Sequence, residues 1–213
     1  MKIILTILGA FVLFVLLILI AGIASYNGLA SGAQQIDQQW AQVQNVYQRR
    51  ADLIPNLVAT VSGAANFEKS TLVEVTDARA SVGKVTINAN SAPADAATLQ
   101  QFDQAQGNLS NALSHLMVVV ERYPDLKSNQ NFADLQATLE GTENRIAFER
   151  GKFNDVVQQY NSRVVSFPSM ILARLGGLTT KPYFTAAPTA ATPPPEALLP
   201  QCSFLLPKSR FPS

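Results

Sequence analysis

Apolar residues follow two different patterns along the chain, and residues 3–23 carry the first. Sixteen of these 21 residues are Ile, Leu, Val or Phe, and none is charged. As an α-helix with a rise of about 1.5 Å per residue, they would span roughly 31 Å, which is close to the thickness of the hydrocarbon core of a bilayer. The pattern therefore predicts a transmembrane helix.

A buried core helix and a cleaved signal peptide are the alternatives for this run. A buried core helix typically carries an apolar stretch of only about 10–14 residues, and the apolar region of a signal peptide has about 7–15. Residues 22–24 (Gly-Ile-Ala) could serve as a small-residue cleavage site. The length of the run nevertheless favours a retained anchor.

The charges that flank the run bear on its orientation. Lys2 lies directly before it, whereas Arg49 is the first basic residue after it. Arg49 is too far along the chain to count in the positive-inside rule. The rule therefore favours a cytoplasmic N-terminus, with the body of the chain on the extracytoplasmic side of the membrane.

The second pattern is a seven-residue repeat in which apolar residues alternate at spacings of three and four. The first repeat segment has the seam Ile36, Trp40, Val43, Tyr47, Arg50, Ile54, Leu57 and Val61. This spacing is typical of helices in coiled coils and bundles. Pro55 lies within the segment, and because the seam keeps its phase across it, we predict a kink rather than a break.

Three further segments show the same spacing, over residues 68–83, 95–123 and 131–167. Residues 88–93 have a loop composition, and residues 84–87 give a short strand-like pattern. Short connections between long amphipathic helices favour antiparallel neighbours. We therefore predict an all-α fold, in which a single N-terminal transmembrane helix is followed by an antiparallel long-helix bundle of the four-helix type.

The predicted domains are a transmembrane anchor over residues 1–25, a helical bundle over residues 26–185 and a Pro-rich disordered tail over residues 186–213. The anchor and the first bundle helix either form one continuous helix through residues 25–28 or bend there. Three consecutive prolines begin at Pro193, and this composition favours an extended segment that forms no packed core.

The amino-acid composition argues against several kinds of functional site. The chain contains one His and one Cys and carries a net charge of +1. These counts argue against a disulfide framework, a Cys-based zinc site and a nucleic-acid partner. His115 lacks the Glu three residues before it and the second His of a bundle di-iron site, and Cys202 has no basic or helical setting that would activate its thiol. We therefore predict no enzyme, no catalytic residue, no cofactor and no metal site.

Two polar groups on the predicted helices are the candidate interaction residues. They are Arg49, Arg50, Asp52 and Asn56 in the first helix and Glu143, Asn144, Arg145 and Glu149 in the last. One interpretation is structural, with solvated faces and one interhelical ion pair of Arg50 with Glu143 or Glu149 that sets register more than stability. The other is a polar recognition surface for a partner or a small anion. Charge runs on helices are usually solvated, which favours the structural interpretation.

The same polar groups lie in two strings that resemble the LemA family. The strings are QRRADLIPNLV at residues 48–58 and LEGTENRIA at residues 139–147. Shorter matching strings are YNGL at 26–29, WAQV at 40–43, YPDLK at 123–127, NF at 131–132, YN at 160–161, FP at 167–168 and KPYF at 181–184. The resemblance thus covers about residues 1–185.

The resemblance implies a bacterial protein with one N-terminal transmembrane helix, a helical-bundle body and no established enzymatic activity, and it carries over no catalytic residue. After Phe184 the chain departs from the family pattern, because family members commonly end soon after that point. The tail is then either an extension specific to this protein or the product of a shifted reading frame.

Together these features predict a membrane-anchored, non-enzymatic helical protein that acts as a structural or protein-interaction module of the bacterial envelope. It would cross the inner membrane once, contact the lipid bilayer through residues 3–23 and bind a protein partner of unknown identity. The bundle is also compatible with a homo-oligomer. The alternative is an accessory or regulatory subunit of a membrane protease or another envelope enzyme, and a cryptic hydrolase is a more distant third.

Overall fold

The computed structural model describes residues 2–64, 67–84 and 91–185, and within these ranges the chain forms helices and no strand. The helices are α1 (Lys2–Ser62), α2 (Lys69–Lys84), α3 (Ala96–Val120), α4 (Pro124–Lys127), α5 (Gln130–Val165) and α6 (Ser169–Leu175). The all-α prediction is confirmed. Lys84 ends α2, whereas the other strand-like residues and the predicted tail over 186–213 lie outside the described residues.

α1 joins the apolar run to the bundle in a single helix. It has 61 residues, which corresponds to a length of about 90 Å at the usual helical rise. It passes through residues 25–28 without a break, and Pro55 lies inside it without ending it. The large apolar side chains that the structure describes between Ile3 and Ile23 are exposed, and this part is long and apolar enough to cross a membrane.

The remaining part of α1 forms an up-down-up-down bundle with α2, α3 and α5. α1 and α5 are antiparallel, because Gln39 contacts Glu149 and Arg50 contacts the earlier residue Glu143. α2 and α3 are also antiparallel, as shown by the contacts of Glu68 with Arg122 and of Glu74 with His115. The predicted antiparallel bundle is therefore confirmed.

Local side chains explain where two of these helices begin. Asp95 precedes α3 and accepts a 2.7 Å hydrogen bond from the Thr98 amide. Asn129 precedes α5 and accepts hydrogen bonds from the amides of Asn131 and Phe132. Both caps satisfy amides that have no partner within the helix. The repeat pattern does not predict α6, because its seven residues hold only one heptad.

The buried core consists of two hydrophobic clusters, which follow one another along the bundle axis. The anchor-side cluster is rich in aromatic residues and includes Trp40, Tyr47, Phe102, Phe153, Tyr160 and Phe184. The distal cluster is mainly aliphatic and includes Ile54, Leu57, Val61, Leu109, Leu113, Leu116 and Leu139. On α1 the division falls between Tyr47 and Ile54, at the seam position of Arg50.

Candidate functional site

Arg50 lies at the boundary of the two core clusters, with only 1% of its side chain exposed. Its seam position directs the side chain into the bundle, where a long cation must find several acceptors. Nη1 donates to Glu143 Oε1 and to Ser110 Oγ, both at 2.8 Å. Nη2 donates to the carbonyl oxygen of Gln106 at 3.3 Å and also to its side-chain amide oxygen. Arg50 thereby links α1 to α3 and α5.

The third guanidinium nitrogen, Nε, differs from the other two. Arg50 Nε is buried and has no hydrogen-bond partner among the described residues. The Glu143 carboxylate that faces the cation is 43% exposed. The ion pair therefore lies at the edge of the core, where solvent reaches the carboxylate while the guanidinium stays buried.

A groove of about 900 Å³ opens between α3 and α5 beside this ion pair. Its α3 wall carries Gln100, Asp103, Gln104, Gln106, Gly107, Ser110 and Asn111, and its α5 wall carries Glu143, Ile146, Ala147, Arg150, Gly151 and Asn154. Tyr47 and Arg50 of α1 line the groove as well, together with Phe184 and Thr185. The groove therefore extends from the Arg50 boundary along the anchor-side cluster, whose Tyr47, Ile146 and Phe184 line it.

Arg150 forms the second ion pair of the groove. Its Nη1 stands 2.8 Å from Asp103 Oδ1, which connects the two walls, and donates to the Tyr47 hydroxyl at 3.4 Å. Its guanidinium also lies over the Phe184 ring, 4.4 Å from the centroid. Burial raises the pKa of the Tyr47 phenol above its ordinary value of 10.0, although the nearby Arg150 and Arg50 oppose the shift.

The last described segment closes the anchor-side end of the groove through two asparagines of α5. Asn154 exchanges two hydrogen bonds of 2.9 Å with the backbone of Phe184. Asn161 exchanges two of 2.8 Å with the backbone of Lys181. Each amide side chain therefore acts as a substitute backbone group and holds the extended segment against the bundle.

The sequence-predicted candidates are distributed over different faces. Of the two acids considered for Arg50, Glu143 is its partner, whereas Glu149 is buried and bonds to Gln39 at 2.7 Å and to Arg145 at 2.8 Å. Arg49 and Arg145 line a separate cavity of about 620 Å³ between α1 and α5.

The other three candidates lie at the surface. Asp52 is exposed and accepts a 2.7 Å hydrogen bond from Gln48, one turn earlier on α1. Asn56 is exposed, and its backbone carbonyl accepts from Thr60 within the helix. Asn144 is exposed and lines a third cavity, of about 510 Å³, with Glu140 and Glu143. These side chains do not join the Arg50 contacts.

Sequence reasoning missed the α3 contribution. Gln106 and Ser110 satisfy Arg50, and Asp103 pairs with Arg150, yet none of the three was a candidate. The available signal was Gln106, a polar residue on an otherwise apolar seam, four residues before Ser110. Gln106 is thus polar at a seam position of the segment 95–123, just as Arg50 is polar at a seam position of the first segment.

His115 lies away from the groove on the exposed α2–α3 face, where Nδ1 contacts Glu74 at 2.8 Å. Among the residues that the structure describes, no group of three or more His, Cys, Asp or Glu side chains is placed to hold a metal ion. The chemistry that this region offers is charge pairing and hydrogen bonding in an open groove that also exposes apolar side chains.

Known proteins resemble the chain over the bundle and the groove. A family model described as the LemA family matches residues 39–197. The magnetosome protein MamQ of Magnetospirillum gryphiswaldense is 27% identical over 187 residues, covering 79% of this chain and 67% of that protein. The magnetosome protein MamQ 2 of Paramagnetospirillum magneticum is 27% identical over 189 residues, with the same coverage. Protein LemA of Metamycoplasma hominis is 22% identical over 161 residues, covering 76% of this chain and 69% of that protein.

Proposed function

This chain belongs to the LemA family, and from that premise we propose that it is a non-enzymatic protein-interaction module held on a bacterial inner membrane by α1. The observation that carries the proposal is the continuity of α1. Its first part is exposed and apolar, and its second part is the seam helix of the bundle core. A body attached in this way is held at a defined distance and angle from the bilayer.

The α3–α5 groove is the docking site in this proposal. Its walls carry amide and hydroxyl groups that can hydrogen-bond a segment of a partner protein, as well as the apolar contacts of Ile146 and Phe184. The charged groups that face it, Arg50 with Glu143 and Arg150 with Asp103, already pair with each other. The amide and hydroxyl groups that have no partner among the described residues are therefore the ones left to hydrogen-bond a docked segment, which supports a docking role.

Site-specific photo-crosslinking in native membranes tests the docking site. A photoreactive amino acid replaces Gln104, which lines the groove, or Gln101, which is exposed on α3 outside it. We expect a reproducible protein adduct from position 104 and none from position 101. Equal adducts at both positions, or no adduct at position 104, would contradict docking in the groove. An envelope enzyme in the adduct would favour the accessory-subunit hypothesis.

The side of the membrane is tested separately by cysteine accessibility. With Cys202 changed to Ser, Gln101→Cys provides one exposed thiol on the body of the full chain. We expect a membrane-impermeant maleimide to label it from the periplasmic side in intact spheroplasts. Labelling only after lysis would place the body in the cytoplasm and contradict the proposed orientation.

A further inference from the structure

The α6 region exposes an apolar strip to its surroundings. Ile171 and Leu175 lie one turn apart on the same side of α6, and Phe167 lies two residues before its first residue; Phe167, Ile171 and Leu175 are 79%, 50% and 80% exposed. The opposite side of the helix packs inward through Ala173, which is buried. Large apolar side chains that remain together at the surface mark a contact with another molecule or with a membrane. This α6 strip is distinct from the polar groove.

The α6 strip lies where α1 leaves the bundle. Gly176, directly after α6, packs so closely on Tyr26 that an added Cβ would stand 3.2 Å from the Tyr26 ring. Tyr26 follows Ile23, the last residue of the apolar run, by three positions, or about 4.5 Å along the helix. Arg163 is at the same level, since it donates to the Gly28 carbonyl at 3.4 Å. The strip is therefore next to the exposed apolar surface of α1.

The two chain segments that meet beside the strip carry no acidic residue. Residues 156–185 contain Arg163, Arg174 and Lys181 and no Asp or Glu, and residues 3–36 contain no charged residue. Long basic side chains around an apolar surface suit a boundary at which the apolar part enters the acyl chains while the cations reach lipid phosphates. A second protein would need an apolar and acidic surface that also fits beside the membrane helix.

We propose that α6 is a membrane-interface helix, which rests its strip of Phe167, Ile171 and Leu175 in the leaflet that α1 enters. This inference depends on the proposed membrane anchoring by α1. With only seven residues, α6 is about 10 Å long and cannot cross the bilayer, so it lies in the interface. It gives the body a second point of contact with the bilayer and thereby restrains the tilt of the bundle.

Lipid quenching of single fluorescent labels tests this inference on the full chain. In a Cys202→Ser background, Leu175→Cys carries a polarity-sensitive nitrobenzoxadiazole label, and the protein is placed in nanodiscs that hold one copy. We expect shallow spin-labelled lipid to remove more than half of the emission and aqueous iodide to remove little. Val118→Cys, an apolar position on α3 that is 69% exposed, is the matched control, and we expect the reverse there.

A label at Leu13→Cys in α1, at the middle of the apolar run, separates the two proposals when it is read with lipid that is spin-labelled deep in its acyl chains. Loss of lipid quenching at position 13 would overturn the membrane anchor itself. Lipid quenching at position 13 with iodide quenching at position 175 would overturn the α6 contact alone. A label at position 175 that neither quencher reaches would mean that protein covers the strip, which would also overturn the contact with lipid.

Discussion

The two core clusters fill the same bundle with different side chains. In the anchor-side cluster, Trp40 contacts the rings of Phe102, Phe153 and Phe184 at centroid distances of 5.2, 5.7 and 6.1 Å. The distal cluster is built mainly from Leu, Ile and Val at heptad positions. Rings reach farther than aliphatic chains, so the first cluster can join α1, α3, α5 and the last segment beside an open groove. The difference shows that large rings, rather than aliphatic side chains, fill the anchor-side half beside the groove.

The largest expected effect comes from removing the ring at the centre of the anchor-side cluster. Trp40 is fully buried, and Trp40→Ala should lower the free energy of unfolding by about 3–5 kcal/mol, because it removes a large side chain from the core and leaves a cavity among the neighbouring rings. Leu57→Ala, at an equally buried position of the distal cluster, should cost less, at about 2–4 kcal/mol. Chemical unfolding of the detergent-solubilised chain, followed by circular dichroism, gives both values. An equal or larger loss for Leu57→Ala would contradict the comparison.

The second effect concerns the boundary between the clusters. Glu143→Met leaves the buried Arg50 cation without its acid and should cost about 2 kcal/mol, less than for a fully buried pair because Glu143 is 43% exposed. Adding Arg50→Met should recover most of this loss, since the two clusters can then merge into one apolar core. The double-mutant cycle is measured by the same unfolding experiment. Strictly additive losses would contradict a boundary based on charge pairing.

The heptad pattern predicts many of the buried positions of both clusters. Ile36, Trp40 and Leu57 are predicted core positions and are buried, because a helical repeat of three and four reports directly which face packs inward. Arg50 is also predicted on the seam. The hydrogen bonds from Arg50 to Gln106 and Ser110 are not predicted, because this pairing depends on how α3 is aligned with α1, which no local pattern determines.

Other parts of the structure carry little local signal. α6 is too short to show a repeat, and the segment around Phe184 is held through its backbone by Asn154. A segment that is held through its backbone does not need particular side chains, so its sequence shows no pattern that would predict the contact. The groove likewise could not be predicted from the sequence, because the distance between two helices depends on how the whole bundle packs.

The third effect tests whether the last segment is part of the anchor-side core. Asn154→Ala removes two hydrogen bonds to the Phe184 backbone and should cost about 1–2 kcal/mol, mostly as local detachment of that segment. Limited chymotrypsin digestion after Phe184 should become several-fold faster while the helical signal persists. Gln159→Ala, at an exposed position of α5, is the control. Unchanged cleavage in Asn154→Ala would mean that the Phe184 ring and the Asn161 hydrogen bonds to Lys181 hold the segment without Asn154.

The smallest effect follows from the phenol that the anchor-side cluster buries near the boundary. The raised pKa of Tyr47 means that folding favours the neutral phenol, so this stabilisation is complete below pH 10.0 and is lost as pH rises through the raised value. Tyr47→Phe should cost less than about 1 kcal/mol at neutral pH, because the 3.4 Å hydrogen bond from Arg150 is long. Above pH 10 the variant should lose stability less steeply than the parent chain.

Unfolding curves between pH 8 and pH 11 measure this difference in slope, and Tyr183→Phe, at an exposed ring, controls for the loss of a hydroxyl elsewhere. Parallel curves for Tyr47→Phe and the parent chain would mean that the Tyr47 phenol ionises as readily in the fold as in the unfolded chain. The anchor-side cluster would then be open to solvent at Tyr47, and its rings would line the groove rather than seal it. A flatter curve for Tyr47→Phe alone would establish that the aromatic half is closed up to the Arg50 boundary.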